Sequence, residues 1–185
     1  IDCKKIKLRG KHNIENILAS IQIAKLFNID DTVIRNTIQN FNPLEHRMEL
    51  LGTMGKIVYI NDSKATNIKS TIRAIESSDK MTILILGGYS KGKTDYKKYF
   101  GTQFKNISTI ICYGLEGKNI YTQLKGIYSC QYINEFKKAV IKSIELAEIN
   151  HRVLLSPACS SYDQFTDFEE RGSKFKQLVK EYAVL

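Results

Sequence analysis

Four short apolar runs most constrain what this chain can become: "IVYI" at 57–60, "TILIL" at 82–86, "TIICY" at 109–113 and "VLLS" at 153–156. Each is a continuous apolar run too short for a helix and followed by a polar or glycine-rich segment, so each predicts a buried strand. Between them lie segments with apolar residues at helical spacing. Helices are expected at about 67–77, 96–104, 116–124, 135–148 and 168–182, with a brief strand at 131–133. Strands separated by helices imply βαβ crossovers and a mainly parallel sheet flanked by helices, an α/β Rossmann-like fold. One tight turn containing Gly52 and Gly55 is expected to join strands at 48–51 and 56–60 as a hairpin.

The first 43 residues read differently. Ile14, Ile17, Leu18, Ile21 and Ala24 recur at helical spacing, with Asn13 placed to cap the helix. Asp30-Asp31-Thr32 opens a second helix carrying Val33, Ile34, Ile38 and Phe41, and Pro43 ends the pattern. Two domain pieces are therefore expected, a helical one at 1–43 and the α/β one at 44–185. The sequence opens on Ile1, without an obvious beginning, and reads as part of a longer protein.

In a parallel sheet the ligand crevice lies outside the carboxyl ends of the strands. Those ends read "NDSKATN" (61–67), "GGYSKGK" (87–93), "YGLEGK" (113–118) and "SPACSSYDQF" (156–165). Together they predict one rim of hydroxyls, lysines and backbone amides suited to carboxylates and phosphates. The net charge of +9 reads first as a solvated basic surface, next as a preference for anionic small molecules and last as nucleic-acid binding, because the lysines are spread along the chain without a dense basic block. No apolar stretch approaches the ~20 residues of a membrane span. Cys3, Cys112, Cys130 and Cys159 lack C-x-x-C spacing and read as free thiols of a reducing compartment, and His12, His46 and His151 lack zinc-ligand spacing.

Gly87, Gly92, Lys93 and Thr94 fit the nucleotide phosphate-loop pattern G-x-x-x-x-G-K-[ST] directly after a strand. Against it, no downstream strand ends in a carboxylate for magnesium, and the apolar pattern of the next helix begins late. Pattern alone leaves the question open between a small phosphate-loop ATPase, a non-catalytic ligand-binding α/β module, and something else.

"GKHNIEN" (10–16), "HRME" (46–49), "NDSKATN", "GGYSKG" (87–92) and "LLSPACSSYDQF" (154–165), read in that order, resemble the Mur ligases, and among them the branch that handles D-glutamate. The resemblance implies a three-domain enzyme in which residues 1–43 end the central ATPase domain and 44–185 form the C-terminal Rossmann-like domain. It implies a cytoplasmic, monomeric ligase of peptidoglycan synthesis, active in cell wall, cell shape and cell division. ATP would phosphorylate the alanyl carboxylate of UDP-N-acetylmuramoyl-L-alanine, and the amine of D-glutamate would attack the acyl phosphate. The true phosphate loop and most Mg2+ ligands would lie upstream, so the fragment alone is expected neither to hydrolyse ATP nor to ligate.

Residue by residue, the resemblance gives Lys64, Thr66, Lys91, Ser161, Tyr162 and Phe168 to D-glutamate, with Lys64 and Arg47 nearest the chemistry. Ammonium groups and hydroxyls are the donors a diacid needs. It gives Asn13 and Asn16 to the adenine, Arg47 to ATP and Asp62 to the ribose hydroxyls. Competing readings remain for each: solvated lysines, a helix-capping Ser161, a core Phe168, an N-capping Asn13, a surface ion-paired Arg47. Ser90 stands where many relatives have Asp, and Tyr162 where a smaller apolar residue is common. His12 and His46 are given no catalytic role.

Overall fold

The computed structural model describes residues 6–8 and 11–183, the side chains of residues 11 and 12 excepted, so Cys3, Gly10 and the side chain of His12 lie outside what is described. The chain divides into two compact units, Ile1–Leu44 and Glu45–Leu185.

In the first unit, α1 (Lys11–Leu26) and α2 (Asp31–Asn40) follow one another across a short turn. Asp30 caps α2, its carboxylate accepting from the amide and hydroxyl of Thr32. Asn13 is not the N-cap its spacing suggested, because α1 begins two residues earlier and Asn13 lies in its first turn. Ile17 and Ile34 are buried, whereas Leu18, Leu26, Phe27 and Val33 are exposed.

The second unit is built on one six-stranded sheet: β1 (Glu49–Met54), β2 (Ile57–Asn61), β3 (Thr82–Gly87), β4 (Ile107–Tyr113), β5 (Cys130–Tyr132) and β6 (Arg152–Ala158). Their spatial order is β1-β2-β6-β3-β4-β5, with only β1 antiparallel to its neighbour. The hairpin turn is Gly55-Lys56, both at positive φ, which matches the twist of the strands it joins. Gly52, expected in that turn, lies within β1 at a shift of register after Leu50.

The continuous apolar runs are explained by burial on both faces of the sheet. Leu84, Leu86, Ile110, Cys112 and Leu154 face α3 (Ile68–Glu76), α4 (Tyr96–Phe100) and α5 (Gly114–Leu124). Ile83, Ile85, Ile111, Tyr113, Val153 and Leu155 face α6 (Phe136–Glu145) and α7 (Phe168–Tyr182). Helix α4 is shorter than the apolar spacing suggested, since Gly101 at positive φ ends it after five residues. Helix α6 likewise stops three residues early, at the Leu146 cap. At the amino ends of the strands, buried Arg152 donates to Ala74 O, Ile75 O, Ser77 Oγ and Thr82 Oγ1. Its cation thereby meets the last carbonyls of α3, where the helix dipole is negative. Burial pulls its pKa down to about 10.

Candidate functional site

The sheet order decides where the motifs meet. Strand β6, last in the chain, lies between β2 and β3, so the turns leaving three adjacent strands open at the same edge. These are the turn at 62–67 after β2, the loop at 88–95 after β3 and the loop at 159–167 after β6. Lys64, Thr66, Lys91, Ser160, Ser161, Tyr162 and Phe168 line one cavity of about 210 Å³ there. That is smaller than the ~300–1,000 Å³ of drug-sized sites and suits a small metabolite.

The turn after β2 is held by its own polar residues. Asn61, Asp62 and Ser63 are buried, and each fixes a neighbour. Asn61 Oδ1 accepts from Ser63 N, and Asn61 Nδ2 faces His46 Nδ1, Glu49 Oε2 and Gly172 O. The Ser63 hydroxyl donates to Phe168 O at 2.8 Å and accepts from Arg171 Nε. Lys64 N donates to His46 O. With the backbone pinned this way, Lys64, Thr66 and Asn67 are the exposed residues of the turn. Asn67 then caps α3, accepting from Ser70 N.

Lys64 does not point freely into solvent: its ammonium lies 3.8 Å from the centroid of the Phe168 ring, a cation–π contact that fixes its direction. Phe168 is half-buried and is met edge-on by the His46 ring. Ser161 is not a helix cap, because Asp167 caps α7 by accepting from Glu170 N. Tyr162 is exposed on the cavity wall. Among the described residues Lys64 and Lys91 have no acidic partner, so two cations converge with hydroxyls on a space lined by no carboxylate.

Asp62 also has a role inside the fold. It is 5% exposed, with Oδ1 accepting from Met48 N at 3.1 Å and Oδ2 from the Ser156 hydroxyl at 2.8 Å. It ties the approach to β1, the end of β2 and β6 together, and each oxygen keeps a lone pair beyond the one bond it accepts. Burial raises its pKa to about 6, although both hydrogen bonds and the nearby Arg47 favour the ionised form. Arg47 itself is exposed and does not line the cavity. Asn13 and Asn16 lie on α1 in the first unit.

The phosphate-loop reading of "GGYSKGKT" fails on geometry. Helix α4 begins at Tyr96, beyond Lys93 and Thr94, and its N-cap is Asp95, whose carboxylate accepts from Lys98 N at 2.9 Å. A carboxylate occupies the helix terminus where a phosphate would have to sit. Gly87 and Gly88 have another role: both are at positive φ, and a Cβ on either would collide with backbone oxygens of Tyr113 or Ser160.

Sequence reasoning missed Arg171 and Ser160. Arg171 is fully buried on α7 and donates to Ser63 Oγ, Ser63 O, Cys159 O and Tyr113 Oη. It joins the turn after β2 to the loop after β6 and to the end of β4. Burial pushes the Tyr113 phenol up to about 12, so it meets Arg171 as a neutral hydroxyl. A signal was present: Arg171, Phe175, Leu178 and Val179 fall on one helical stripe, and an arginine inside an apolar stripe needs buried acceptors.

A Rossmann-like sheet with an anion-seeking cavity at its carboxyl edge defines a class, and comparison with known proteins defines which one. The chain belongs to the Mur ligases: the family model described as "Mur ligase, glutamate ligase domain" matches residues 46–159. Among individual relatives it is 38% identical over 188 residues to the UDP-N-acetylmuramoylalanine--D-glutamate ligase of Prochlorococcus marinus, covering 97% of this chain and 39% of that protein. It is 37% identical to the enzyme of the same name from Oenococcus oeni, covering 97% of this chain and 41% of the relative. The chain thus spans about two fifths of the length of these relatives. Its fold is similar to the crystal structure of UDP-N-acetylmuramate-alanine ligase from Thermotoga maritima, with a TM-score of 0.68 and 15% identity over 95% of this chain and 39% of that one. It is also similar to the MurF ligase of the same organism, solved in complex with ADP, with a TM-score of 0.57 and 12% identity over 90% of this chain and 38% of that one.

Proposed function

We propose that the chain is the amino-acid-binding part of an ATP-dependent ligase that joins D-glutamate to UDP-N-acetylmuramoyl-L-alanine in the cytoplasm, as a monomer, during peptidoglycan precursor synthesis. One observation carries this: the cavity at the carboxyl edge gathers Lys64, Lys91, Thr66 and Ser161 from three separate turns. A small diacid with one amine fits such a lining, its two carboxylates taking charge-assisted hydrogen bonds from the lysines and hydroxyls. The names of the 37–38% identical relatives support D-glutamate over the amino acids of sister ligases.

In the reaction so proposed, ATP phosphorylates the alanyl carboxylate and the amine of bound D-glutamate displaces phosphate through a tetrahedral intermediate. The residues of this chain hold the amine in line with the carbonyl, a positioning role that lowers the barrier without proton chemistry of their own. Lys64, directed by the Phe168 ring, stands nearest to developing negative charge. Exposed Arg47 serves the phosphates of ATP, for which a planar guanidinium is suited. Asn13 and Asn16 serve the adenine. Among the described residues no group of three His, Cys, Asp or Glu could hold a metal ion, so no step is assigned here to Mg2+. The phosphate loop belongs to the part of the ligase this chain does not span.

The test is phosphate release by the full-length ligase with UDP-N-acetylmuramoyl-L-alanine and a panel of amino acids. D-Glutamate is expected to drive it, and Lys91→Ala to raise the KM for D-glutamate roughly 10- to 100-fold, the worth of a hydrogen bond to a charged group. The KM for ATP should stay within twofold, and Lys93→Ala should be silent. Release that ignores D-glutamate, or nucleotide binding abolished by Lys93→Ala, overturns the reading.

A further inference from the structure

The loop after β6 brings two consecutive serines to the cavity, and only Ser161 was expected there. Ser160 lines the same cavity and is 4% exposed. Among the described residues its hydroxyl has no hydrogen-bond partner, whereas its backbone is tightly held. Tyr89 N donates to Ser160 O at 2.8 Å and Ser160 N to Tyr89 O at 3.0 Å, an antiparallel bridge outside the named strands. Gly88 lets that bridge close, since a side chain there would run into Ser160 O. The bridge also joins the loop bearing Lys91 to the loop bearing Ser161, so the Ser160 Cβ is set by the same contacts that set the site.

Among the described residues the one sealed side-chain polar atom without a partner is Asp163 Oδ1, so the Ser160 hydroxyl keeps contact with solvent and can exchange it for a ligand. It opens on a cavity whose other polar lining, Lys64, Lys91, Thr66 and Ser161, consists of donors without a carboxylate among them. An added donor on a rigid backbone is what an anionic ligand exploits, because no side-chain reorganisation is needed on binding. We propose that Ser160 is a further specificity-determining residue of the amino-acid site, its hydroxyl donating to a carboxylate oxygen of the bound dicarboxylate. This rests on the ligase reading above and deepens it. Lys64 and Lys91 supply charge, and Ser160 supplies direction from a backbone that does not move.

The test is steady-state kinetics of Ser160→Ala in the full-length ligase, with wild type run alongside on D-glutamate. The KM for D-glutamate should rise roughly tenfold, with kcat, the KM for ATP and the melting temperature near wild type. That factor corresponds to a single charge-assisted hydrogen bond. If Ser160→Ala folds poorly, Ser160→Cys keeps the volume and weakens the donor, and the same rise in KM is expected in it. A wild-type KM in a folded variant overturns the role of Ser160 while leaving the ligase reading intact. A wild-type enzyme indifferent to D-glutamate overturns the ligase reading itself, and this inference with it.

Discussion

Replacing Arg171 by Met keeps much of the side-chain volume and removes every donor from the centre of the site's scaffold. The guanidinium makes four hydrogen bonds, all to neutral oxygens, at 2.7–3.1 Å. Three of these acceptors, the carbonyls of Ser63 and Cys159 and the Tyr113 hydroxyl, would be left buried without that donor. Leaving a buried polar group unsatisfied costs about 1–3 kcal/mol, so the three together account for about 6 kcal/mol. The Ser63 hydroxyl still has Phe168 O as a partner and adds little. Relief from burying the guanidinium offsets part of the loss, as does the apolar surface Met supplies. A net destabilisation of about 3 kcal/mol remains, out of the ~5–15 kcal/mol that holds an ordinary domain together. Urea unfolding of the chain followed by far-UV circular dichroism measures it. With a slope of ~2 kcal/mol/M, the midpoint should fall by roughly 1.5 M. A midpoint within ~0.3 M of wild type would show that the buried guanidinium is a spectator, and the account of how the turns are held would be wrong.

Two further outcomes follow from the same contacts. The raised pKa of Asp62 means that the folded state binds its proton more tightly than the unfolded chain does. Its contribution to stability is therefore full below pH ~4 and is lost as pH rises through about 6. The gap between 3.8 and about 6 corresponds to about 3 kcal/mol. Asp62→Asn, which can keep the Met48 and Ser156 contacts, should gain stability relative to wild type at pH 7 but not at pH 4. Equal differences at both pH values in chemical denaturation would refute this. Gly172→Ala should destabilise by about 1–2 kcal/mol in thermal melts despite better helix propensity, because the added methyl would overlap the His46 ring. An Ala variant that melts higher would remove that steric argument.

How much of this was legible beforehand differs from element to element. The alternation of apolar runs with helical periodicity gave the α/β class, and it gave the bounds of α7, which Asp167 caps in the structure. Boundaries failed where a single backbone angle decides them, as at Gly101, or where the start of α1 left Asn13 inside the helix. Side-chain chemistry was legible where a residue type is unusual at a strand end. Lys64 and Lys91 stand out as charges beside glycines and hydroxyls, and both line the cavity. Asp62 looked equally exposed and is buried, because whether the carboxylate of a turn faces out or in depends on which strand packs beside it.

The sequence by itself determined the order and type of the elements, the two-faced burial of the sheet and the family, since each depends on short-range periodicity or on a local run of residues. Only the tertiary structure decided that β6 inserts between β2 and β3. That pairing is made over a separation of some 95 residues, and no local preference records it. From it follow the meeting of Lys64, Lys91 and the serines at one edge, the inward turn of Asp62, and the buried acceptors that Arg171 needs. Strand order is a long-range choice, and the site exists because of it.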